Sequence, residues 1–178
     1  MYIDRPPYAV NADCRHPAAA ELSMRVITGI ARGRKLIAPE GLDVRPTADK
    51  VKEGIFSAVQ FQLEDALVLD LFAGSGQMGI EALSRGAKRA VFVDSSAKSL
   101  KCVAENLNNT GLRDQAEVIS RDSYDYIRST AKTFDIIILD PPYTAVLAEL
   151  LLRKGQELLD MAGSIGRVED HNVESFGC

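Results

Sequence analysis

The sequence predicts an α/β protein built on a mostly parallel sheet. Four short apolar runs, which start at Leu67, Ala90, Ala116 and Phe134, alternate with stretches whose apolar residues recur at helical spacing. Strands that alternate with helices in this way pair in parallel through right-handed crossovers. A glycine-rich turn follows the first run directly. Together these observations predict a doubly wound, Rossmann-like sheet.

The composition fits one globular domain. The chain has 178 residues, 46% of them apolar and 26% charged, and its net charge is −4. A nucleic-acid site would therefore need a local basic patch. Three scattered cysteines and two histidines predict reduced thiols in the cytoplasm and no metal site. We expect neither a membrane helix, which needs about 20 apolar residues, nor a secretory leader.

The N-terminal part is predicted to hold an extension and a basic hairpin. Residues 1–23 show no apolar period, so we expect a disordered extension before a domain over 24–178. In that domain, 24–62 would form a hairpin and helix, and 63–178 the core. Residues 25–38 fit a β-hairpin with its turn at Arg32-Gly33. The basic residues predicted to contact phosphates are Arg25, Arg32, Arg34 and Lys35. The alternative is an edge hairpin whose charges prevent aggregation.

A helix is predicted after the hairpin. Thr47 is its expected N-cap, and Asp49 lies favourably in its first turn. Gly54 inside the helix costs about 1 kcal/mol relative to alanine. The spacing of four residues predicts one apolar face, made of Val51, Ile55, Ala58 and Val59.

A glycine-rich turn joins the first strand, residues 67–72, to a helix that runs to about residue 85. Gly74, Gly76 and Gly79 satisfy the G-x-G-x-x-G spacing in this strand–turn–helix context. Such glycines allow a tight turn and a close approach of the backbone to a ligand, and the helix N-terminus offers free N–H groups. The alternative is a tight turn that holds no ligand.

Acidic residues follow the next two strands. Asp94 ends the strand over 90–94, where a carboxylate accepts both ribose hydroxyls of an adenosine cofactor. A helix over 97–109 then leads to the third strand, residues 116–120. Asp122 either accepts the adenine amino group or caps a helix over 123–131.

The fourth strand, residues 134–139, is predicted to be buried on both faces and ends at Asp140-Pro141-Pro142-Tyr143. This motif fits methylation of an exocyclic amino group on a nucleobase. The Asp140 carboxylate and the Pro141 carbonyl would each accept one N–H, which localises the nitrogen lone pair and stabilises developing positive charge. Tyr143 would stack on the base. The alternative is a strand that ends in aspartate and turns on two prolines. A helix over 145–160 follows.

Taken together, these motifs resemble those of class I S-adenosylmethionine-dependent methyltransferases that act on amino groups. More narrowly, residues 24 to about 160 resemble the RsmD family of 16S ribosomal RNA guanine-N2 methyltransferases. The segments that carry this resemblance are 24–29, 32–36, Arg45-Pro46-Thr47 with Asp49, Val51 and Glu53, 70–76, and Gly79 with 81–87.

The resemblance implies methyl transfer from S-adenosylmethionine to N2 of one guanine in small-subunit rRNA, either naked or in an assembled subunit. Asp70 with Gly74 and Gly76 would hold the methionine end of the cofactor. Asp94 would hold the ribose and Asp122 the adenine. The base would be presented by Asp140, Pro141 and Tyr143. We expect a monomer that needs no metal.

The C-terminal residues depart from the family pattern. After Leu159 the family continues with a fifth strand and a two-strand hairpin, whereas only Met161 to Cys178 remain here. Residues 164–169 form an interrupted candidate for the fifth strand. We therefore expect a truncated or altered C-terminus that exposes one edge of the sheet.

Three other functions remain open from the residues. A DNA adenine-N6 methyltransferase would present its amino group similarly, although no sizeable DNA-recognition domain is visible. A dinucleotide-dependent oxidoreductase also fits the glycine turn and Asp94 but leaves Asp140-Pro-Pro-Tyr without a role. The third is a truncated, inactive RNA-binding remnant.

Overall fold

The computed structural model describes residues 24–39 and 47–140. Its helices and strands, in chain order, are α1 (Asp49–Ala58), β1 (Leu67–Leu71), α2 (Gln77–Ser84), β2 (Arg89–Asp94), α3 (Ala97–Thr110), β3 (Ala116–Ser120), α4 (Ser123–Ser129) and β4 (Ile136–Leu139). Short 3-10 turns at Gln60–Gln62 and Arg113–Gln115 precede β1 and β3. The predictions for residues 1–23 and 141–178 lie outside the described residues.

The four strands form one parallel sheet in the order β3-β2-β1-β4. Successive residues of β1 point to opposite faces, so Val68 joins the core under α2 and α3, whereas Leu69 joins the core under α4. Helices thus cover both faces of the sheet, and the predicted α/β, doubly wound fold is confirmed. The strand order reverses between β1 and β4, which is where such sheets bind ligands.

The fourth strand is less buried than its apolar sequence predicts. All four residues of Ile136–Leu139 are half-buried, although Phe134 just before them lies fully in the core. These residues are half-buried because β4 pairs with β1 on one side and has no second neighbouring strand in the described part of the chain. The prediction of a strand buried on both faces was therefore wrong for the residues described.

Residues 24–39, the N-terminal hairpin, pair as predicted. The amide of Val26 donates to the Arg34 carbonyl at 3.0 Å, and Leu36 donates to Met24 at 2.8 Å. Arg25 and Lys35 form an antiparallel bridge between these bonds. The hairpin is confirmed, with a turn that is wider than Arg32-Gly33 alone.

The N-terminal hairpin is fixed to α2 by two buried polar side chains. The Glu81 carboxylate accepts the amides of Ile27 and Thr28 at 2.8 and 3.0 Å. The Ser84 hydroxyl donates to the Thr28 carbonyl at 2.6 Å and accepts the Ala31 amide at 3.0 Å. Backbone N–H and C=O groups of the hairpin lose hydrogen bonds to water where the hairpin packs against α2, and these side chains replace those bonds.

The buried face of α1 differs from the predicted one. Lys52 and Phe56 face inward, whereas Val51 and Ile55 are 51% and 43% exposed. The ammonium of Lys52 donates to the Arg25 carbonyl at 2.7 Å and lies 3.7 Å from the Asp49 carboxylate, which supplies the opposite charge. Burial lowers the pKa of Lys52, and the charges of two acidic neighbours oppose that shift. The prediction of the apolar face was wrong for Val51, Ile55 and Ala58, whereas Val59 just after the helix packs partly against the core.

The N-terminus of α1 also differs from the prediction. Ala48 occupies the N-cap position and makes no side-chain capping bond. The hydroxyl of Thr47 instead accepts a hydrogen bond from Gln77 Nε2 at 3.1 Å. Thr47 therefore joins the start of α1 to the start of α2, and its prediction as N-cap was wrong.

Among the described residues we find no helix with the length and apolar content that a membrane span requires.

Candidate active site

The glycine turn connects β1 to α2 at the carboxyl edge of the sheet. Phe72, Gly74 and Gly76 have φ values of 62°, 56° and 76°, in the left-handed region. Glycine adopts this conformation freely, whereas Phe72 pays about 1–2 kcal/mol for it. Gly76 precedes α2 without a side-chain cap. The residue at the N-cap position therefore satisfies none of the first N–H groups of α2 through a side chain.

The third glycine lets α2 lie directly on the sheet. A Cβ on Gly79 would stand 2.4 Å from the Phe92 ring and 3.0 Å from Asp70 Oδ2. The Gly79 amide donates to that same oxygen of Asp70 at 2.8 Å. Asp70 thus lies beneath the turn and fixes the backbone of α2 from below.

Asp70 is a carboxylic acid in a buried environment. It is 3% exposed, and burial raises its pKa to about 7. The hydrogen bond from Gly79 opposes this rise, while the negative charges of Asp140 and Asp94 add to it. The charges of Asp94 and Asp140 therefore lie near enough to Asp70 to affect its pKa. The predicted contact between Asp70 and the methionine end of a cofactor stays a prediction.

Asp94 is bonded to the glycine turn. Its Oδ2 accepts the Gly74 amide at 2.9 Å, and its Oδ1 accepts the Ser96 amide at 2.8 Å. The side chain is half-buried. Each carboxylate oxygen keeps a second lone-pair direction for a hydroxyl donor, which is the geometry that the ribose prediction needs.

Asp122 caps α4, the alternative that we stated for it. Its Oδ1 accepts the amides of Tyr124 and Asp125 at 2.9 and 3.0 Å. The cap uses one carboxylate oxygen of an exposed residue. Contact between Asp122 and adenine would have to use the other oxygen, and it stays a prediction.

The strand register brings Asp140 to the glycine turn. Leu71 of β1 lies opposite Val93 of β2 and Leu139 of β4. The next residue along each strand is Phe72 in the middle, with Asp94 on one side and Asp140 on the other. At about 4.8 Å between neighbouring strands, the two acids lie on the order of 10 Å apart. Asp140 is exposed, and its predicted partners Pro141 and Tyr143 lie outside the described residues.

The predicted RNA-contacting residues extend along the N-terminal hairpin. Arg25 forms a salt bridge with Asp49 at 3.0 Å, so part of its charge is already neutralised. Arg32, Arg34 and Lys35 are exposed. The turn of the hairpin reaches the C-terminal end of α2, about 12 Å from the glycine turn at 1.5 Å per helical residue. Contact with RNA stays a prediction for all four residues.

Sequence reasoning missed the buried polar side chains that surround the turn. Asn106 and Glu81 are fully buried, and Gln77 is nearly so. Gln77 Oε1 lacks a hydrogen-bond partner in the part of the chain that the structure describes. The one signal available in the sequence was a polar residue on the apolar side of a predicted helix. That signal does not identify the hydrogen-bond partner of the residue.

Known proteins share both the sequence and the fold. The sequence profile of a family described as Conserved hypothetical protein 95 matches residues 24–169. The ribosomal RNA small subunit methyltransferase D (RsmD) of Haemophilus influenzae is 38% identical over 133 residues, which cover 73% of this chain and 69% of that protein. The chain belongs to the RsmD family.

Two further comparisons support this membership. Bacillus subtilis YlbH is 42% identical over 156 residues and covers 85% of each chain. The solved structure of Escherichia coli yhhF superimposes on this RsmD-family chain with a TM-score of 0.65 at 35% identity, over 78% of this chain and 72% of that one. The predicted resemblance is confirmed. In the described ranges 24–39 and 47–140, we find no cluster of acidic, histidine or cysteine side chains suited to a metal ion.

Proposed function

We propose that this chain transfers a methyl group from S-adenosylmethionine to the exocyclic N2 amino group of a guanine in small-subunit rRNA. The observation that carries the proposal is the placement of Asp94 and Asp140 on either side of the glycine turn, at the point where the strand order reverses. Membership of the RsmD family supports the same reaction.

The residues at the turn fit S-adenosylmethionine. Among the described residues, a Cβ on Gly74 would meet only the Phe72 carbonyl, at 3.8 Å, so this part of the chain leaves the backbone open to a ligand. The turn and the N–H groups at the start of α2 would bind the methionine end, Asp94 the ribose and Asp122 the adenine. The cofactor supplies a methyl group already activated on a sulfonium. Its positive charge suits a site with three carboxylates.

Asp140 and Pro141 would act on the amino group. The lone pair of a guanine amino nitrogen is delocalised into the ring, so the nitrogen attacks poorly. Acceptance of its two N–H groups by the Asp140 carboxylate and the Pro141 carbonyl localises that lone pair and stabilises the developing positive charge. Tyr143 would stack on the face of the base.

The N-terminal hairpin would bind phosphates. The chain as a whole is acidic, with a net charge of −4, so attraction of RNA must be local. Arg32, Arg34 and Lys35 supply exposed positive charge on the hairpin. Such contacts add affinity and orientation without reading sequence. The protein would act as a monomer in the cytoplasm, where ribosomal RNA is found.

The substrate is tested by offering alternatives side by side. Purified protein and labelled S-adenosylmethionine are incubated with naked 16S rRNA, with small ribosomal subunits lacking the modification, and with duplex DNA. We expect label in rRNA, recovered as N2-methylguanosine. An Asp114→Asn variant, altered at an exposed acid remote from the turn, should label equally well. Label confined to DNA, recovered as N6-methyladenine, would replace the proposal with the DNA methyltransferase alternative.

A further inference from the structure

One buried amide joins the N-terminal hairpin to the glycine turn. Asn106 of α3 is 0% exposed. Its Oδ1 accepts the Ile37 amide at 2.8 Å, and its Nδ2 donates to the Ile37 carbonyl at 3.0 Å and the Ser75 carbonyl at 2.8 Å. Both Nδ2 hydrogens are thus used. The orientation of the amide is determined, because only Oδ1 accepts from the Ile37 N–H.

The two joined segments have different predicted tasks. Ser75 lies between Gly74 and Gly76, in the turn that would bind the cofactor. Ile37 follows Arg34 and Lys35, in the hairpin arm that would bind RNA. A movement of either segment pulls on hydrogen bonds that hold the other. Because the amide is sealed from solvent, water does not replace a bond that is lost.

A neighbouring thiol strengthens the hairpin side of this junction. Cys102, one helical turn before Asn106, donates to the Ile37 carbonyl at 3.1 Å. Burial raises the pKa of Cys102 to about 11, so the thiol keeps its proton and its role as donor. Ile37 is thereby held at both its N–H and its carbonyl.

We propose that Asn106 is a positioning residue that couples RNA binding at the N-terminal hairpin to cofactor binding at the glycine turn. This inference rests on the proposed function. RNA bound at the hairpin would restrain Ile37, Ile37 holds the Asn106 amide, and the amide holds the Ser75 carbonyl. The turn is then set for the cofactor, and by linkage the cofactor favours RNA to the same extent.

The chain offers a matched control in Ser84. Its hydroxyl also makes two hydrogen bonds to the hairpin backbone, at Thr28 and Ala31. Neither bond reaches the glycine turn. Ser84→Ala therefore loosens the hairpin without cutting the connection through Ser75, whereas Asn106→Ala removes that connection.

The test is a binding cycle. The affinity for S-adenosylhomocysteine is measured by calorimetry with and without the ribosomal substrate that accepts methyl groups. In the wild type we expect RNA to tighten binding by at least about 5-fold. Asn106→Ala should reduce the factor to below about 2-fold, and Ser84→Ala should keep it. A factor near one in the wild type, an unchanged factor in Asn106→Ala, or an equal loss in Ser84→Ala would overturn the inference.

A wild-type measurement keeps the inference testable if Asn106→Ala does not fold. Amide exchange is followed by NMR as S-adenosylhomocysteine is added. The amide of Ile37, bonded to Asn106, should exchange more slowly, whereas the amide of Val26, bonded to Arg34 within the hairpin, should change less than about 2-fold. Equal behaviour of both amides rejects the coupling. A wild type that binds no S-adenosylhomocysteine rejects the proposed function itself.

Discussion

Replacement of Gly79 by alanine should destabilise the domain, although alanine favours helices. The new Cβ would lie 2.4 Å from the buried Phe92 ring and 3.0 Å from Asp70 Oδ2. Overpacking of this kind lowers the free energy of unfolding by about 1–3 kcal/mol. We expect about 3 kcal/mol here, because the ring is rigid and the contact is very short. The higher helix propensity of alanine offsets about 1 kcal/mol of this loss. We therefore expect a net loss of about 2 kcal/mol, or roughly 4–8 °C in Tm for a chain of this size.

Gly54 provides the matched control. It also lies inside a helix, and a Cβ there would meet no atom of residues 24–39 or 47–140 within 4 Å. Gly54→Ala should therefore stabilise the domain by about 0.5–1 kcal/mol. Thermal and urea unfolding of both variants measure the difference. A Gly79→Ala variant as stable as Gly54→Ala would refute the close packing of α2 on the sheet.

Three further predictions follow from the carboxylates and the hairpin. Because the pKa of Asp70 is raised to about 7 in the folded state, the wild type should lose stability as the pH rises from about 4 to about 7. Asp70→Asn keeps an acceptor for Gly79 and should gain stability relative to wild type over that range in urea unfolding; a constant difference would contradict this. Asp94→Ala should weaken S-adenosylhomocysteine binding by about 1.5–3 kcal/mol in calorimetry, since a charged acceptor is lost; unchanged affinity excludes the ribose contact. Arg34→Ala should weaken RNA binding at all sequences and make its salt dependence shallower by about one unit; an unaltered slope would mean that Arg34 contacts no phosphate.

The sheet and the glycine turn were predictable because their signals are local. The run that became β2 is apolar and continuous over residues 90–93. The helix between β2 and β3 ends at Gly111, which has a left-handed φ of 75°. The glycine spacing needs no knowledge of distant residues, since a strand, a turn and a helix adjoin in sequence. The position of Asp94 at a strand end followed from the same alternation.

The buried face of α1 was not predictable from its own residues. Periodicity favoured Val51 and Ile55, whereas the fold buries Lys52 and Phe56. A lysine is accepted inside because its ammonium meets a backbone carbonyl 27 residues away. No pattern within one helix encodes that partner.

Asn106 was missed for the same physical reason. Its long-range bonds run to Ile37 and Ser75, 69 and 31 residues away, and these bonds end on backbone atoms. Backbone groups carry no sequence signature. Buried polar residues of this kind become interpretable only when the segments that they join are placed in space.

Turnover and cofactor binding in an Asp140→Ala variant test the central claim most directly. The proposed partner of Asp140 is the amino group of the base, so formation of N2-methylguanosine on small-subunit rRNA should fall to background. The affinity for S-adenosylhomocysteine should stay within a few-fold of wild type, because other residues hold the cofactor. Turnover equal to that of the wild type would contradict the account.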